Sequence, residues 1–433
     1  MPDQSSPYLL PEVPKLPTAV LERVHTDYGW FAAEPWPRPF EEFLLDRYGI
    51  DVGTHYGGVE VMNPWGKASG QLSMTHRQVQ EDVEAGLGFV VLKTVIAQDA
   101  TGTRAMDAWA IKESRMLAEP IVGRSGEEGW TISWRGRGWW QSFDEYLELL
   151  RVCRELARPS GTLIVPSCKY HLPTPEETAW KTAEYEHTTR RLLEVWRETS
   201  SDETEPMLLE KDFSPTLAGS EHSAARAKVL EWLRTVGRLV QEAAADKHDP
   251  HQPAVQLGLK LFNALFDDAF QIEMLRTIHE AGAGRPAYFI YGNRLFDPHR
   301  EFDGTTGVAY GGPDLSDRNL RVLAKFRKLA DEGGISEPLL PFSGTGNIVT
   351  GRMALEYALQ GASSFQLHTF FQLPADQYRR NTGTKTEKAL HELYFHPETG
   401  FIVWLHHLAL ALQLPSAPIH FRDVVGQGSL LER

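Results

Sequence analysis

Cysteine is nearly absent from this chain. Cys153 and Cys168 are the two among 433 residues, which excludes a disulfide framework and a four-cysteine iron–sulfur ligand set. Redox chemistry here would need an organic cofactor. Positive charge is also in deficit: 44 Lys and Arg against 58 Asp and Glu leave a net charge of −14, which repels a phosphate backbone, so no nucleic-acid partner is expected. Long apolar runs are missing too, since nothing approaches the roughly 18 to 20 residues of a membrane span. The N-terminal stretch "MPDQSSPYLLPEVPKLP" lacks a charged start followed by an apolar core. The expectation is a soluble, cytoplasmic protein without a membrane partner.

Several familiar motifs fail on spacing. "GTGNIVTG" places Val349 where a dinucleotide fingerprint needs glycine. "PWGKAS" carries Ala68 in place of the hydroxyl of a phosphate-binding GK[ST] loop. The histidines of "HELYFH" stand five apart, whereas a zinc pair on one helical face needs four. His406 and His407 lie in the apolar pattern "WLHHLALALQLP" and read as a satisfied pair. No metal site is expected.

What is present is alternation. Strand-like runs "GGVEVMN", "LGFVVLKTV", "GWTISW", "GTLIVPS", "AVQLGLKLF", "PAYFIYG", "EPLLPFSG" and "SSFQLHT" are separated by amphipathic helical patterns such as "SFDEYLELLRVCRELA" and "DRNLRVLAKFRKLADEGG". Eight such pairs predict an α/β fold, a (β/α)8 TIM barrel over residues 58–372, with its site at the C-terminal ends of the strands. Residues 1–57, rich in proline and aromatics, read as an N-terminal extension with short helices. The long stretch at about 199–252 reads as an insertion after strand four. Residues 373–433 read as a helical C-terminal extension, which could pack on the barrel or form a homodimer interface.

Polar residues gather at the strand ends: Lys93 and Thr94, Ser167 and Cys168, Lys260, and Gly344 to Asn347. A lysine inside a barrel costs desolvation unless it meets an anion or acceptor, which singles out Lys260. The order strand, glycine loop, helix, strand in "SGTGNIVTGRMALEYALQGASSFQLHT" fits a phosphate cup built from the seventh and eighth loops.

The stretches "MNPWGKASGQLSMTHRQVQEDVEAGLGFVVLKT", "PSC", "VQLGLKL" and "LLPFSGTGNIVTGRMALEYALQGASSFQLHTFF" together resemble the dihydroorotate dehydrogenase family of FMN-binding barrels. They are similar also to the flavin domain of dihydropyrimidine dehydrogenase. The resemblance covers roughly residues 58 to 372. It implies an FMN cofactor held by Ala68, Ser69 and Gly70, by Lys93 and Thr94, and by Gly311 and Gly312. It further implies a phosphate cup from Gly344, Thr345, Gly346, Asn347, His368 and Thr369. Lys260 matches the lysine beside the flavin N1/O2 edge, where a fixed cation stabilises the charge that gathers on reduction. Cys168 matches the cysteine that exchanges a proton with the substrate while hydride passes to or from flavin N5. Such a role requires a thiol of tunable ionisation.

The family's substrate asparagines are largely missing. The third-strand loop is "SWRGRGWW", Val165 and Tyr170 flank the cysteine loop, and Phe289 and Ile290 occupy the expected asparagine–serine position of strand six. Each lost amide partner would leave a buried polar edge unsatisfied at about 1–3 kcal/mol. The implied enzyme is therefore an FMN-dependent oxidoreductase acting on a C–C or C–N bond of a small carboxylated or aromatic molecule other than dihydroorotate. Arg135, Arg137, Tyr170, His171 and Asn293 are the expected substrate contacts, with Trp134, Trp139, Trp140 and Phe289 widening an aromatic pocket. The electron donor or acceptor is left open. Two other classes compete: a Schiff-base lyase or aldolase using Lys260, and a flavin-binding protein without turnover.

Overall fold

The computed structural model describes residues 6–112, 115–135, 138–202, 205–213, 226–245, 255–263, 267–302, 304–415 and 417–431. Within them, eight parallel staves form a barrel. They are Trp65–Lys67, Phe89–Val91 with Val95–Ile96, Leu163–Val165 with Ser167–Lys169, Met207–Asp212, Val255–Phe262, Tyr288–Asn293, Phe342–Thr345 and Ala362–Leu367. Stave eight pairs with stave one through Phe365 and Trp65. Staves two and three pair in both of their halves, Phe89 with Leu163 and Val95 with Cys168, so the ladder closes on itself.

Two of the eight expected strands lie outside the barrel. "GWTISW" belongs to an antiparallel hairpin, Arg115–Val122 with Glu128–Arg135. "GGVEVMN" supplies half of another, Thr54–Tyr56 with Val59–Val61. Both alternate apolar and polar residues, as half-buried antiparallel strands do, whereas staves covered on both faces read as continuous apolar runs such as "FVV" and "LIV". Two staves went unrecognised. Stave one is the three-residue "WGK", and stave four, "MLLEKD", sits inside the stretch read as an insertion. That stretch also supplies the helix Arg226–Ala244, so about 199–252 is an ordinary strand–helix unit of the barrel. Two false and two missed strands cancel, and the numbering from strand five onward holds.

The hairpin 54–61 plugs the N-terminal end of the barrel. Tyr56 stacks on Phe89 with ring centroids 4.1 Å apart. At Gly57, with φ +57°, a Cβ would come within 2.9 Å of Leu208 and 3.0 Å of Tyr288. Outer helices start on side-chain caps: Thr75 with Gln78, Ser142 with Glu145 and Thr384 with Glu387 each form a reciprocal capping box. The N-terminal segment carries two helices, Thr18–Trp30 and Phe40–Tyr48, which lean on the C-terminal helices. Helix Phe401–Ala411 has Phe401 through Ala409 buried and packs on this chain's own barrel, with Gly351 so close that a Cβ there would lie 2.1 Å from the Phe401 nitrogen. No helix among the described residues is long and apolar enough to cross a membrane.

Candidate functional site

The C-terminal ends of the staves open into one cavity of about 440 Å³, within the roughly 300–1,000 Å³ typical of small-molecule sites. Each stave contributes. Ala68, Ser69 and Gly70 come from the first, Lys93 and Thr94 from the second, Lys169 from the third, Asp212 from the fourth and Lys260 from the fifth. Asn293 and Arg294 end the sixth, Thr345 to Val349 end and follow the seventh, and Gln366 to Phe370 end and follow the eighth. Gly311 and Gly312 also line it, as do Ile132 from the 115–135 hairpin and Gly307 to Ala309 from a second hairpin, Leu295–Phe302 with Thr305–Tyr310.

Hydroxyls chain across the floor. Ser69 Oγ and Thr94 Oγ1 are 2.8 Å apart, and Thr94 Oγ1 and Ser167 Oγ 3.0 Å. Cations dominate the wall: Lys93, Lys169, Lys260 and Arg294 face Asp212, the one carboxylate lining the cavity among the described residues. In a chain of net charge −14 this is a local reversal of sign, suited to an anion. Burial pushes the Lys93 ammonium down to about 8, with Lys260 and Lys169 adding repulsion and Asp212 opposing. Burial also holds the His368 imidazole well below its ordinary range, reinforced by Arg294, Lys93, Lys260 and Lys67. His368 is thus neutral near pH 7. Arg294 reaches into both hairpins, donating to the Ala309 and Ile132 carbonyls at 3.1 Å each. Gly311 N–H donates to Thr131 Oγ1 at 2.9 Å, a further tie between the segments over the cavity.

The loop after stave seven differs from a helix-capped cup. Helix Gly351–Leu359 begins at Thr350, whose side chain accepts from Met353 N–H, and its first residue abuts Phe401. The cavity instead meets the loop before it. Gly346 (φ +105°) and Asn347 (φ +54°) turn in succession, and the N–H groups of Gly346, Asn347, Ile348 and Val349 have no hydrogen-bond partner among the described residues. Successive unpaired N–H groups in such a turn form an anion-binding concavity. Asn347 is braced by donating to Ser316 Oγ at 2.9 Å.

Of the expected cofactor residues, Ala68, Ser69, Gly70, Lys93, Thr94, Lys260, Gly311, Gly312, Thr345, Gly346, Asn347, His368 and Thr369 all line this cavity. Gly344 does not: its missing Cβ makes room for Tyr357, 3.0 Å away on the outer side. Cys168 is displaced from its expected place. Along stave three Ser167 and Lys169 face inward, so strand alternation turns Cys168 outward, where it is fully buried beside Tyr170, Lys211 and Glu184. Burial raises its thiol far above the ordinary range. Tyr170 faces the same outer layer, stacked on Tyr185 at 4.4 Å and bonded to Thr189 at 2.7 Å. His171 pairs with Glu177 at 3.2 Å, outside the cavity lining.

The expected aromatic wall is likewise corrected. Phe289 stacks on Phe342 at 4.9 Å in the outer layer, Trp139 packs on Tyr146, and Trp140 receives Lys112. The aromatics that do line the cavity are Trp109 and Phe370. Asn293 lines the cavity as expected, so the polar end of stave six is Asn293 and Arg294 and not Phe289 and Ile290. Arg137 and the side chains of Trp134 and Arg135 lie outside the described residues. Sequence reasoning passed over Asp212, Arg294, Gln366 and Trp109, and considered Lys169 only as a neighbour that could shift the ionisation of Cys168. The inward phase of Ser167 with Thr94 could have pointed to Lys169, two residues on.

No family model matches the chain, and no curated protein does. A solved structure titled as DHODH from Eimeria tenella in complex with ferulenol shares 13% identity and superposes with a TM-score of 0.55, covering 97% of this chain and 98% of that one. The chain therefore has a DHODH-like TIM-barrel fold.

Proposed function

We propose that this chain is an FMN-dependent oxidoreductase. The observation that carries the reading is the cavity's donor set: an unpaired N–H loop at Gly346 to Val349 on one side and a cationic wall across the barrel from it. Staves three and four stand opposite seven and eight in the closed ladder. The donors fit the group at both ends, phosphate at the loop and an electron-rich ring edge at Lys260. Bound FMN would supply hydride transfer at N5 and gather negative charge at its N1/O2 edge.

This chain's residues would do the rest. Gly346 to Val349 bind the phosphate, and Asn347 is held in place by Ser316. Ser69, Thr94 and Ser167 form a hydroxyl row on the floor, and Lys260 fixes positive charge at the ring edge. Lys169 and Arg294 attract an anionic substrate, and the two hairpins joined by Arg294 exclude water from above. Asn293 and Asn347 are the asparagines lining the cavity among the described residues. The ring amides of dihydroorotate would find few partners here, so a small carboxylate other than dihydroorotate is the favoured substrate class.

Absorbance of the purified protein tests the reading. A flavin spectrum with FMN released on denaturation, or FMN uptake by the colourless protein, supports it. A protein that takes up no FMN and is instead trapped by borohydride on a cavity lysine is a Schiff-base lyase. Rapid dihydroorotate oxidation would overturn the substrate class.

A further inference from the structure

The interior of a TIM barrel is ordinarily filled by branched apolar side chains. Beneath this cavity the filling is polar. Glu210 lies on stave four, Ser343 on stave seven and Ser364 on stave eight, all essentially without solvent exposure. Asp212 and Lys260 are register partners on neighbouring staves. Glu210, two residues before Asp212, therefore shares the inner face one layer lower. One carboxylate oxygen, Oε1, accepts from Tyr56 OH in the plugging hairpin and from Gln366 Nε2 on stave eight. Gln366 also donates to Tyr56 OH at 3.1 Å and lines the cavity above. The other oxygen, Oε2, has no hydrogen-bond partner among the described residues, and neither do Gln366 Oε1, Ser343 Oγ or Ser364 Oγ. The titratable groups around Glu210 are Lys260, Asp212, Tyr56, Tyr288 and, from the outer layer, Tyr146.

We infer that Glu210 is a positioning residue that sets, by gaining or losing one proton, the charge that Lys260 presents to the edge of the bound cofactor. The inference rests on the FMN reading above. A carboxylate with one bare oxygen in a closed interior is costly when ionised. Burial raises its carboxyl, and Lys260 opposes. With Glu210 neutral, the pair carries one positive charge; with Glu210 ionised, it carries none. Negative charge arriving above favours the first state. Two electrons entering the cofactor would thus bring one proton from solvent onto Glu210.

The test is the midpoint potential of the FMN-loaded protein, measured by anaerobic dye equilibration with dithionite between pH 6 and 9. Glu210→Gln fixes the neutral state. It should raise the potential at the alkaline end and remove a pH-dependent step that the natural protein shows. A tenfold change in the reduced-to-oxidised ratio is read as about 30 mV for a two-electron couple. Tyr56→Phe removes a donor to the carboxylate from below and should move the step to higher pH. If Glu210→Gln does not fold, Tyr56→Phe decides alone. Potentials that match the natural protein at every pH in each variant that folds, with FMN bound, overturn the role of Glu210 while leaving the flavoprotein reading intact. A natural protein that takes up no FMN overturns that reading and this inference with it.

Discussion

Lys169 Nζ stands 3.8 Å from Asp212 Oδ2, joining the ends of staves three and four, and 4.6 Å from the Trp109 ring. The ammonium is thus held from two sides, on the side of the barrel opposite the Gly346 to Val349 loop. Cys168, its neighbour in sequence, has no access to that space. A cation held by a partly open ion pair can still take up a substrate carboxylate, and a charged hydrogen bond of that kind contributes about 1.5–3 kcal/mol.

Lys169→Met should therefore weaken binding of a small carboxylate such as benzoate to the FMN-loaded protein by roughly tenfold or more. Cys168→Ala should leave it unchanged. Flavin absorbance during carboxylate titration reads both. Equal losses in the two variants, or none in Lys169→Met, would show that the third stave does not present Lys169 to ligand.

Which residue faces the site was the part of the sequence hardest to read. The barrel itself was legible because apolar runs alternate with amphipathic helices. Staves five to eight were found because "LGLKLF", "YFIYG", "PFSG" and "SFQLH" are strand-like and bounded by glycine, proline or polar turns. Stave four was hidden because "MLLEKD" ends in three charged residues that the barrel and not solvent receives, Glu210 beneath the cavity, Lys211 buried in the outer layer and Asp212 on the cavity wall. "GWTISW" misled for the opposite reason, having the alternation of a strand with one dry face. The Cys168 assignment failed by a single residue of phase, and in a strand one residue is a whole face. The cavity-lining glycines and lysines were easier to place because glycine loops and strand-end lysines announce themselves without knowledge of phase.

Gly346 is open to a direct test. Its φ of +105° is in the left-handed region, and a Cβ would approach Asn319 Nδ2 to 2.8 Å and Leu315 to 2.9 Å. Asn319 is fully buried and holds the carbonyls of Gly292 and Thr345 at 3.0 Å each, so it has little room to yield. Gly346→Ala should cost on the order of 1–3 kcal/mol in strain and distort the N–H loop. FMN affinity, read by quenching of its fluorescence, is expected to fall at least tenfold, with the melting temperature lowered. An unaltered affinity would remove this loop from the phosphate site.

Lys93 makes a prediction with a definite sign. Its folded value near 8 lies below the ordinary lysine value because burial penalises the charged form. Below pH 8 the ammonium is charged and attracts an anion; above it the free protein loses that charge. An anionic ligand restores it, so binding above pH 8 takes up a proton and FMN affinity declines by up to about tenfold per pH unit. Lys93→Met should bind more weakly at pH 7 and show a flatter profile between pH 7 and 9. Parallel profiles for the two proteins would mean that Lys93 does not sense the ligand.

Glu356 links helix Gly351–Leu359 to the N-terminal segment. It is 1% exposed and accepts from Leu9 N–H at 2.8 Å and Leu10 N–H at 3.0 Å, while Arg352 donates to the Leu10 carbonyl at 2.9 Å. Burial pushes its carboxyl up to about 7, and the two N–H groups only partly offset this. Because the folded value exceeds that of the unfolded chain, the stabilisation belongs to the neutral form. It is complete below about pH 4 and is lost as pH rises through 7. A shift of this size corresponds to at most about 3 kcal/mol. Glu356→Gln keeps a neutral side chain at every pH but surrenders one acceptor, at about 1 kcal/mol. Urea unfolding at pH 5 should find the variant less stable than the natural protein, and at pH 8 the order should narrow or reverse. A difference that stays constant between pH 5 and 8 would mean that Glu356 ionises as it does in the unfolded chain and that the N-terminal segment is held by its other contacts.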